Sequence, residues 1–294
     1  MTKLFRYGIA CSLNKTGSSA PITFRGDIED ICERSRKYGY DGIEIHLVNP
    51  GEHDWDKISK TKDDYGLSVT ALATGREFHQ NKLYLLDENP QVRRDAINRL
   101  KEHIDVGAKL GALVIVGSMR KDIPDFQRYD YYEGLHNEAV LELAEYAQPK
   151  NVTIILENIL TFTSNFMNTM RQTADVVRKI NKPNVKIHLD TYSMLMEDND
   201  IPGAIQYCMP ELEYVHFADS ARLYPGGGNV DFPLFLNTLL NVGYKGWIVT
   251  ECIPWPTEDL SAERGMAYLN ALETIVKIKR STAERDYVQL HHGE

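Results

Sequence analysis

Four side chains with oxygen or nitrogen donors stand at the ends of four short apolar runs in the second half of the chain. They are Glu157 after VTIIL, Asp190 after VKIHL, His216 after LEYV and Glu251 after GWIVT. If these runs are successive strands of a parallel barrel, the four side chains meet at its C-terminal mouth, where such barrels carry their active sites. Three carboxylates and one imidazole suit a divalent cation, Mn²⁺, Co²⁺ or Mg²⁺, better than a structural zinc. The pattern therefore predicts a metal-dependent enzyme.

The elements that must position these residues are repeated strand and helix units. Short β-branched runs alternate with longer segments of helical period, which is typical of βα repeats around a parallel sheet. We predict strands at residues 5–12, 42–47, 68–74, 112–118, 152–158, 185–190, 212–218 and 246–252. Eight units without a Gly-rich nucleotide motif after the first strand favour an α/β fold of the (β/α)8 TIM barrel type over an open doubly wound sheet. We expect a single domain over residues 1–280 and a polar C-terminal extension over 281–294.

Helix signals support the same division of the chain. Asp27 can cap a first helix whose apolar residues follow a helical period. The clearest helix is expected from Pro90 to Leu110, with Gly111 as its stop. Further helices are predicted near residues 133–147, 171–181, 232–241 and 261–279.

Composition restricts the class of protein. The chain has 294 residues, of which 43% are hydrophobic, and a net charge of −9. An acidic chain without a basic patch is not expected to bind nucleic acid or an anionic membrane surface. We expect a cytoplasmic protein, because the sequence has neither a leader pattern nor a run of 18 apolar residues. The four cysteines form no CxxC pair and are expected to be reduced and buried.

The chain resembles the xylose isomerase-like barrels, and most closely the ketose 3-epimerases of the tagatose and psicose type. The resemblance covers most of the chain and is carried by the segments ILEN (155–158), PNVKIHLDTY (183–192), VHFADSAR (215–222), PGGGNVDF (225–232), GWIVTE (246–251) and the long helical segment 87–112. It implies that Glu157, Asp190, His216 and Glu251 bind one cation, usually Mn²⁺, and that Glu157 and Glu251 also transfer protons. The implied reaction inverts C3 of a ketose or keto-sugar derivative through an enediolate.

The resemblance also suggests which residues contact the sugar and where this chain differs. His188 and Arg222 match a histidine beside the metal and an arginine that contacts the sugar near O2. The family has a histidine where this chain has Ser193, and an arginine and a glutamate in the stretch that here contains Thr161 and Thr163. We therefore expect an intact metal site with an altered sugar pocket, suited to a larger or differently oxidised sugar than a free hexulose.

Other polar residues are predicted at the mouth from their place after a strand. His46, Arg76 and His79 follow the second and third strands, and Arg120 after the fourth could hold a carboxylate, a phosphate or a hydroxyl of the substrate. Aromatic side chains that could stack on a sugar are Phe162, Tyr192, Trp255 and Tyr131. Cys252 should point to the opposite face of its strand from the neighbouring glutamate, which argues against a nucleophilic role.

Two other functions remain open from the sequence. The first is a metal-dependent lyase or dehydratase that acts on a keto-sugar, a 3-oxo-glycoside or an inosose and begins with the same proton removal. The second is a DNA repair barrel of the endonuclease IV type, which the acidic net charge and the shortage of histidines at the mouth disfavour. The resemblance implies a small-molecule sugar substrate and a homodimer or homotetramer.

Overall fold

Nine parallel strands form one sheet in the computed structural model, which describes residues 3–292 and the side chains of residues 3–282. The strands are β1 (Arg6–Ser12), β2 (Phe24–Arg25), β3 (Gly42–His46), β4 (Ser68–Ala73), β5 (Leu113–Val116), β6 (Ile154–Glu157), β7 (Val185–Asp190), β8 (Leu212–Phe217) and β9 (Trp247–Thr250). The sheet closes because β1 pairs with β3 on one side and with β9 on the other. β2 only adds to the C-terminal end of β1. The other eight strands therefore form the predicted TIM barrel, and each falls within a predicted run.

Helices surround the barrel, joined by shorter ones at its mouth. They are α1 (Ile28–Lys37), α2 (Trp55–Asp64), α3 (Gly75–Gln80), α4 (Pro90–Leu110), α5 (Tyr129–Ala147), α6 (Met170–Ile180), α7 (Thr191–Glu197), α8 (Ile201–Tyr207), α9 (Phe232–Asn241) and α10 (Glu258–His292). The predicted caps are present. Asp27 accepts a hydrogen bond from the N–H of Glu29, and Gly111 ends α4 in the left-handed region at φ 66°.

The sequence did not predict the four helices α2, α3, α7 and α8. Helices α3, α7 and α8 have seven residues or fewer, too few turns for a clear helical period, and α2 buries only Trp55 and Ile58. Helix α7 begins directly after β7 because Asp190, the last residue of that strand, caps it by accepting from the N–H of Ser193 at 2.7 Å. A predicted metal ligand therefore also fixes the start of a helix.

The alternation of side chains along the strands separates the two sides of the barrel wall. On β8, Val215 and Phe217 pack in the apolar layer between strands and helices, whereas Tyr214 and His216 point into the barrel. The lower interior is filled by a small apolar cluster that includes Ala71, Ile155 and Tyr214. Above this cluster the interior is polar. Polar side chains therefore lie at the mouth of the barrel, and apolar side chains fill the part below.

The cysteines and the C-terminal segment complete the comparison with the predicted fold. Cys11, Cys32, Cys208 and Cys252 are buried and unpaired, as expected. No helix within residues 3–292 is both long and apolar enough to cross a bilayer. The backbone of α10 continues through residue 281 without a break. The side chains of 283–294 lie outside the described residues, so the predicted extension over 281–294 stays a prediction.

Candidate active site at the barrel mouth

The four predicted ligands come from four neighbouring strands and converge at the mouth. Glu157 and Asp190 are the last residues of β6 and β7, His216 lies near the end of β8, and Glu251 directly follows β9. The Nδ1 atom of His216 lies 3.5 Å from Oε2 of Glu251 and 3.8 Å from Oδ2 of Asp190. Donor atoms of Asp190, His216 and Glu251 lie within 4.8 Å of one another, and so do those of Glu157, His188 and His216. The two groups share His216, which is therefore the centre of the cluster.

Arg222 supplies positive charge to this cluster. One guanidinium nitrogen donates to both carboxylate oxygens of Asp190, at 2.6 and 2.8 Å, and the other donates to Oε2 of Glu251. The backbone at Ala221 and Arg222 is in the left-handed region, at φ 56° and 58°. This turn aims the arginine back into the barrel, where it contacts two of the predicted ligands.

The glycine-rich segment 225–228 shapes the loop that carries Arg222. The buried carboxylate of Asp219 accepts from the N–H groups of Ser220, Gly226 and Val230. A Cβ atom at Gly228 would lie 2.2 Å from the hydroxyl of Ser220. The segment therefore forms a turn around Asp219.

Glu44 is a residue of this cluster that was not predicted from the sequence. Its carboxylate is fully buried and lies 2.7 Å from Nε2 of His46 and 2.7 Å from Nε2 of His216. It also accepts from the hydroxyl of Tyr214 at 2.9 Å. A carboxylate accepts only, so Nε2 of His216 carries the proton and Nδ1 faces Asp190 and Glu251. The signal in the sequence was a glutamate between two isoleucines in the run GIEIH, a charge on the inward face of a buried strand.

The charged groups of the cluster shift one another's pKa values. The pKa of Glu157 is raised to about 8 because the carboxylate is withdrawn from water and lies near that of Glu251. Burial also opposes ionisation of Glu251, but Arg222 and His216 outweigh it and lower its pKa. For His216 burial favours the neutral ring, yet Glu44 and Glu251 raise its pKa well above the usual value. The cluster therefore stabilises added positive charge.

These residues fit a divalent cation. The Nδ1 atom of His216 is buried and has no hydrogen-bond partner, although three carboxylates surround the ring. One imidazole with oxygen donors from Glu157, Asp190 and Glu251 suits Mn²⁺, Co²⁺ or Mg²⁺. A cation that binds Nδ1 displaces a proton, so affinity should rise with pH over the range in which His216 titrates.

A cavity of about 470 Å³ opens above the cluster. Its lining contains both predicted catalytic glutamates and, of the predicted substrate contacts, His46, Thr163, Ser193 and Arg222. Arg76, His79 and Tyr192 also line it. His188 is fully buried below the cavity, with its ring centroid 4.0 Å from that of His216, one layer deeper than Asp190 as expected from the strand period. His188 therefore packs under the cluster of predicted ligands instead of facing the cavity.

Arg120 was predicted to contact the substrate, and this prediction is wrong. Its guanidinium is completely buried and donates to the main-chain carbonyls of Phe166, Met167 and Glu157, at 2.8, 3.1 and 2.6 Å. Burial lowers its pKa to about 10. The residue is not part of the cavity lining. It ties the loop after β6 to the end of that strand and does not act as a clamp for substrate.

Four further residues, Thr161, Phe162, Trp255 and Tyr131, also differ from expectation. Thr161 is exposed, and its N–H and hydroxyl both donate to the carboxylate of Glu197, at 2.7 and 2.8 Å. Phe162 is 90% exposed and Trp255 59% exposed, and neither lines the cavity. Tyr131 is likewise exposed and outside the lining. Of the four aromatic residues expected to stack on a sugar, only Tyr192 lines the cavity.

Comparison with known proteins finds a matching family and several related epimerases. The family described as "Xylose isomerase-like TIM barrel" matches residues 32–272. A ketose 3-epimerase from Arthrobacter globiformis is 31% identical over 221 residues, which cover 74% of this chain and 75% of that protein. A 3-dehydro-D-guloside 4-epimerase from Escherichia coli is 24% identical and covers 76% of this chain and 87% of that protein. The structure of a D-allulose 3-epimerase from Methylomonas sp. in complex with D-allulose superposes with a TM-score of 0.77 at 24% identity, covering 91% of this chain and 96% of that one.

Proposed function

Because the chain belongs to the xylose isomerase-like TIM barrel family, we propose that it is a divalent-metal-dependent epimerase of a ketose or keto-sugar derivative. Relatives named as epimerases, one of a ketose and one of a 3-dehydro-glycoside, support this reaction class. The observation that carries the proposal is the unpartnered Nδ1 of His216, which faces Asp190 and Glu251 at the floor of a sugar-sized cavity.

Inversion of a carbon next to a carbonyl needs a proton acceptor on one face and a proton donor on the other. Glu157 and Glu251 end strands that are separated by β7 and β8, and both line the cavity. They can therefore approach a sugar from different sides. One removes the proton at C3, the charge passes to the oxygens of an enediolate, and the other returns a proton to the opposite face.

The remaining residues of the cluster hold these two glutamates and the substrate. Arg222 donates to Asp190 and to Glu251, and its charge lowers the pKa of Glu251. Glu44 fixes the ring of His216 through Nε2. When bound, a divalent cation held by Glu157, Asp190, His216 and Glu251 would polarise the substrate carbonyl and stabilise the developing negative charge. We propose Mn²⁺ as this cation, with Co²⁺ or Mg²⁺ as alternatives.

The altered sugar pocket favours a keto-sugar derivative over a free hexulose. Ser193 and Thr163 line the cavity with small neutral side chains, where the resemblance to the ketose 3-epimerases implies larger or charged ones. The 3-dehydro-glycoside named for the E. coli relative is one such derivative. On a substrate with a leaving group, the same proton removal would lead to elimination, so the lyase remains the second candidate.

Deuterium exchange tests both candidates together. The Mn²⁺-loaded protein is incubated in D₂O with D-tagatose, D-psicose, D-fructose and a 3-oxo-glucoside, and the products are followed by NMR. We expect deuterium at the epimerised carbon without loss of water or aglycone, and no exchange after EDTA treatment until Mn²⁺ or Co²⁺ is restored. Elimination would replace the epimerase by the lyase. Undiminished exchange in EDTA would contradict the metal-dependent mechanism.

A further inference from the structure

A second cationic side chain lines the cavity on the side away from Arg222. Arg76 is the second residue of α3, which follows β4, whereas Arg222 follows β8. In the closed barrel β4 and β8 are four strands apart in either direction. The two arginines therefore enter the cavity from opposite sides of the mouth.

The contacts of Arg76 are all to neutral groups. One guanidinium nitrogen donates to the hydroxyl of Ser12 at 2.8 Å and to Oδ1 of Asn14 at 3.3 Å, and the other donates to the carbonyl of Lys15 at 3.2 Å. No carboxylate of residues 3–282 forms an ion pair with it within 4.0 Å. Arginine has five N–H donors, so two remain for a ligand in the cavity.

The adjacent carboxylate, Glu77, is occupied elsewhere. It accepts from Arg99 at 3.0 Å and from the N–H of Asn49 at 2.9 Å, and it lies 3.2 Å from Nε2 of His103. Burial lowers the pKa of Arg76, and Glu77 only partly opposes this shift. The charge on Arg76 is therefore poorly compensated.

Such a charge is unusual in a folded protein. Arg76 is only 9% exposed, and buried charges are normally paired because their removal from water is costly. The two carboxylates in the lining, Glu157 and Glu251, belong to the opposite cluster, where Arg222 already contacts one of them. Three neutral groups hold the guanidinium at the cavity wall without neutralising it, which is how arginine is presented to a carboxylate or a phosphate.

We infer that Arg76 binds an anionic group, a carboxylate or a phosphate, at the end of the keto-sugar substrate remote from the reacting carbon. The inference rests on the proposed function for the nature of the substrate, but anion binding can be measured without turnover. A cavity of about 470 Å³ is large enough for a sugar that carries such a group. His79, on the same helix, lines the cavity beside it and can add a second donor.

Matched pairs of ketoses test the inference. Deuterium exchange is measured on D-fructose, D-fructose 6-phosphate and D-fructuronate with the wild type and with Arg76→Gln, Arg76→Lys and Arg264→Gln. The last is a control, since Arg264 is an exposed arginine whose contact is also neutral, the hydroxyl of Tyr224. We expect kcat/KM for one anionic ketose to exceed that for fructose at least about tenfold, because charge-assisted hydrogen bonds are strong. The favoured ketose distinguishes phosphate from carboxylate.

The variants separate anion binding from a merely structural role. Arg76→Gln should lower kcat/KM for the anionic ketose by about 10- to 100-fold, mainly through KM, and leave fructose within about threefold. Arg76→Lys should retain part of the preference, and Arg264→Gln all of it. Equal losses on neutral and anionic ketoses, or no anionic preference in the wild type, would overturn the inference.

Failure of the proposed reaction has a different signature. If no ketose exchanges deuterium, the proposed function fails, and anion binding is read from the shift in Tm caused by inorganic phosphate and by D-gluconate. A stabilisation present in the wild type and in Arg264→Gln but lost in Arg76→Gln supports the anion site. The same shift in all three proteins, or no shift in any, overturns it.

Discussion

Glu44 and His216 are joined by a 2.7 Å hydrogen bond in the barrel interior, although they lie 172 residues apart along the chain. The bond occupies Nε2 of the imidazole and leaves Nδ1 facing Asp190 and Glu251. Carboxylates that orient a metal-binding histidine in this way raise its basicity and fix its ring. Glu44 is therefore a positioning residue for the proposed metal site, although it lies beneath the four ligands.

Glu44→Gln should weaken metal binding without unfolding the barrel. The side chain keeps its size, but its single acceptor oxygen cannot serve His46, His216 and Tyr214 together. We expect Kd for Mn²⁺, measured by isothermal titration calorimetry, to rise by about 10- to 100-fold. Glu213→Gln is the control, because Glu213 lies on the same strand as His216 with an exposed side chain. An unchanged Kd in the Glu44 variant would show that the bond has no part in metal binding.

The two glutamates should be separately indispensable for turnover. Glu157→Gln and Glu251→Gln each remove a proton-transfer group and a ligand charge, so each should lower kcat by about 10² or more. The deuterium exchange rate at saturating Mn²⁺ provides the measurement, and circular dichroism provides the check on folding. Near-normal turnover of either variant with metal bound would exclude the two-glutamate mechanism.

Because Gly117 has no side chain, the carboxylate of Glu157 can lie directly against it. A Cβ atom at this position would lie 2.2 Å from Oε2 of Glu157, so Gly117→Ala must displace the carboxylate. Because that atom is the end of a flexible side chain, the fold should survive while kcat falls by about 10², the typical effect of misplacing a catalytic group by about 1 Å.

The matched control is Gly134→Ala, on α5, where an added Cβ meets no atom within 4 Å. This change should leave kcat unaltered and stabilise the protein by about 0.5–1 kcal/mol, because alanine favours the helix and restricts the unfolded chain. Equal activity of the two alanine variants would mean that Glu157 does not need its present position.

His136 should make stability depend on pH. Its ring is fully buried, and burial lowers its pKa from 6.5 to about 4. Below about pH 6.5 the histidine is protonated in the unfolded state but stays neutral in the folded state. Its contribution to the free energy of unfolding is therefore complete above that pH and is lost as the pH falls towards 4. Linkage gives a loss of about 2 kcal/mol by pH 5.

Guanidinium unfolding at pH 7.5 and pH 5 measures this loss. His136→Phe removes the titrating group and keeps an aromatic ring against Phe166. The difference in the free energy of unfolding between the two pH values should be about 2 kcal/mol smaller in the variant than in the wild type. The same difference in both proteins would assign the pH dependence to other groups.

The order of residues along the chain was sufficient to predict the eight barrel strands, the helix Pro90–Leu110 and the position of Glu157, Asp190, His216 and Glu251 at the C-terminal ends of four neighbouring strands. These features rest on local causes. Strand and helix periods are properties of a few consecutive residues, and parallel strands bring their C-terminal ends to one edge whatever their loops do. Short helices such as α7 were missed because their period is too brief to detect.

Only the tertiary structure decided what the remaining residues do. The contacts of Glu44, Arg120 and Gly117 are with residues on other strands and loops. The sequence around each residue does not predict which residues these are. Two arginines that each follow a strand illustrate the reason. Arg120 donates to three buried carbonyls and does not reach the cavity, whereas Arg76 lines the cavity. A charged side chain after a strand reaches either the barrel mouth or the loop layer, and the packing of distant segments determines which.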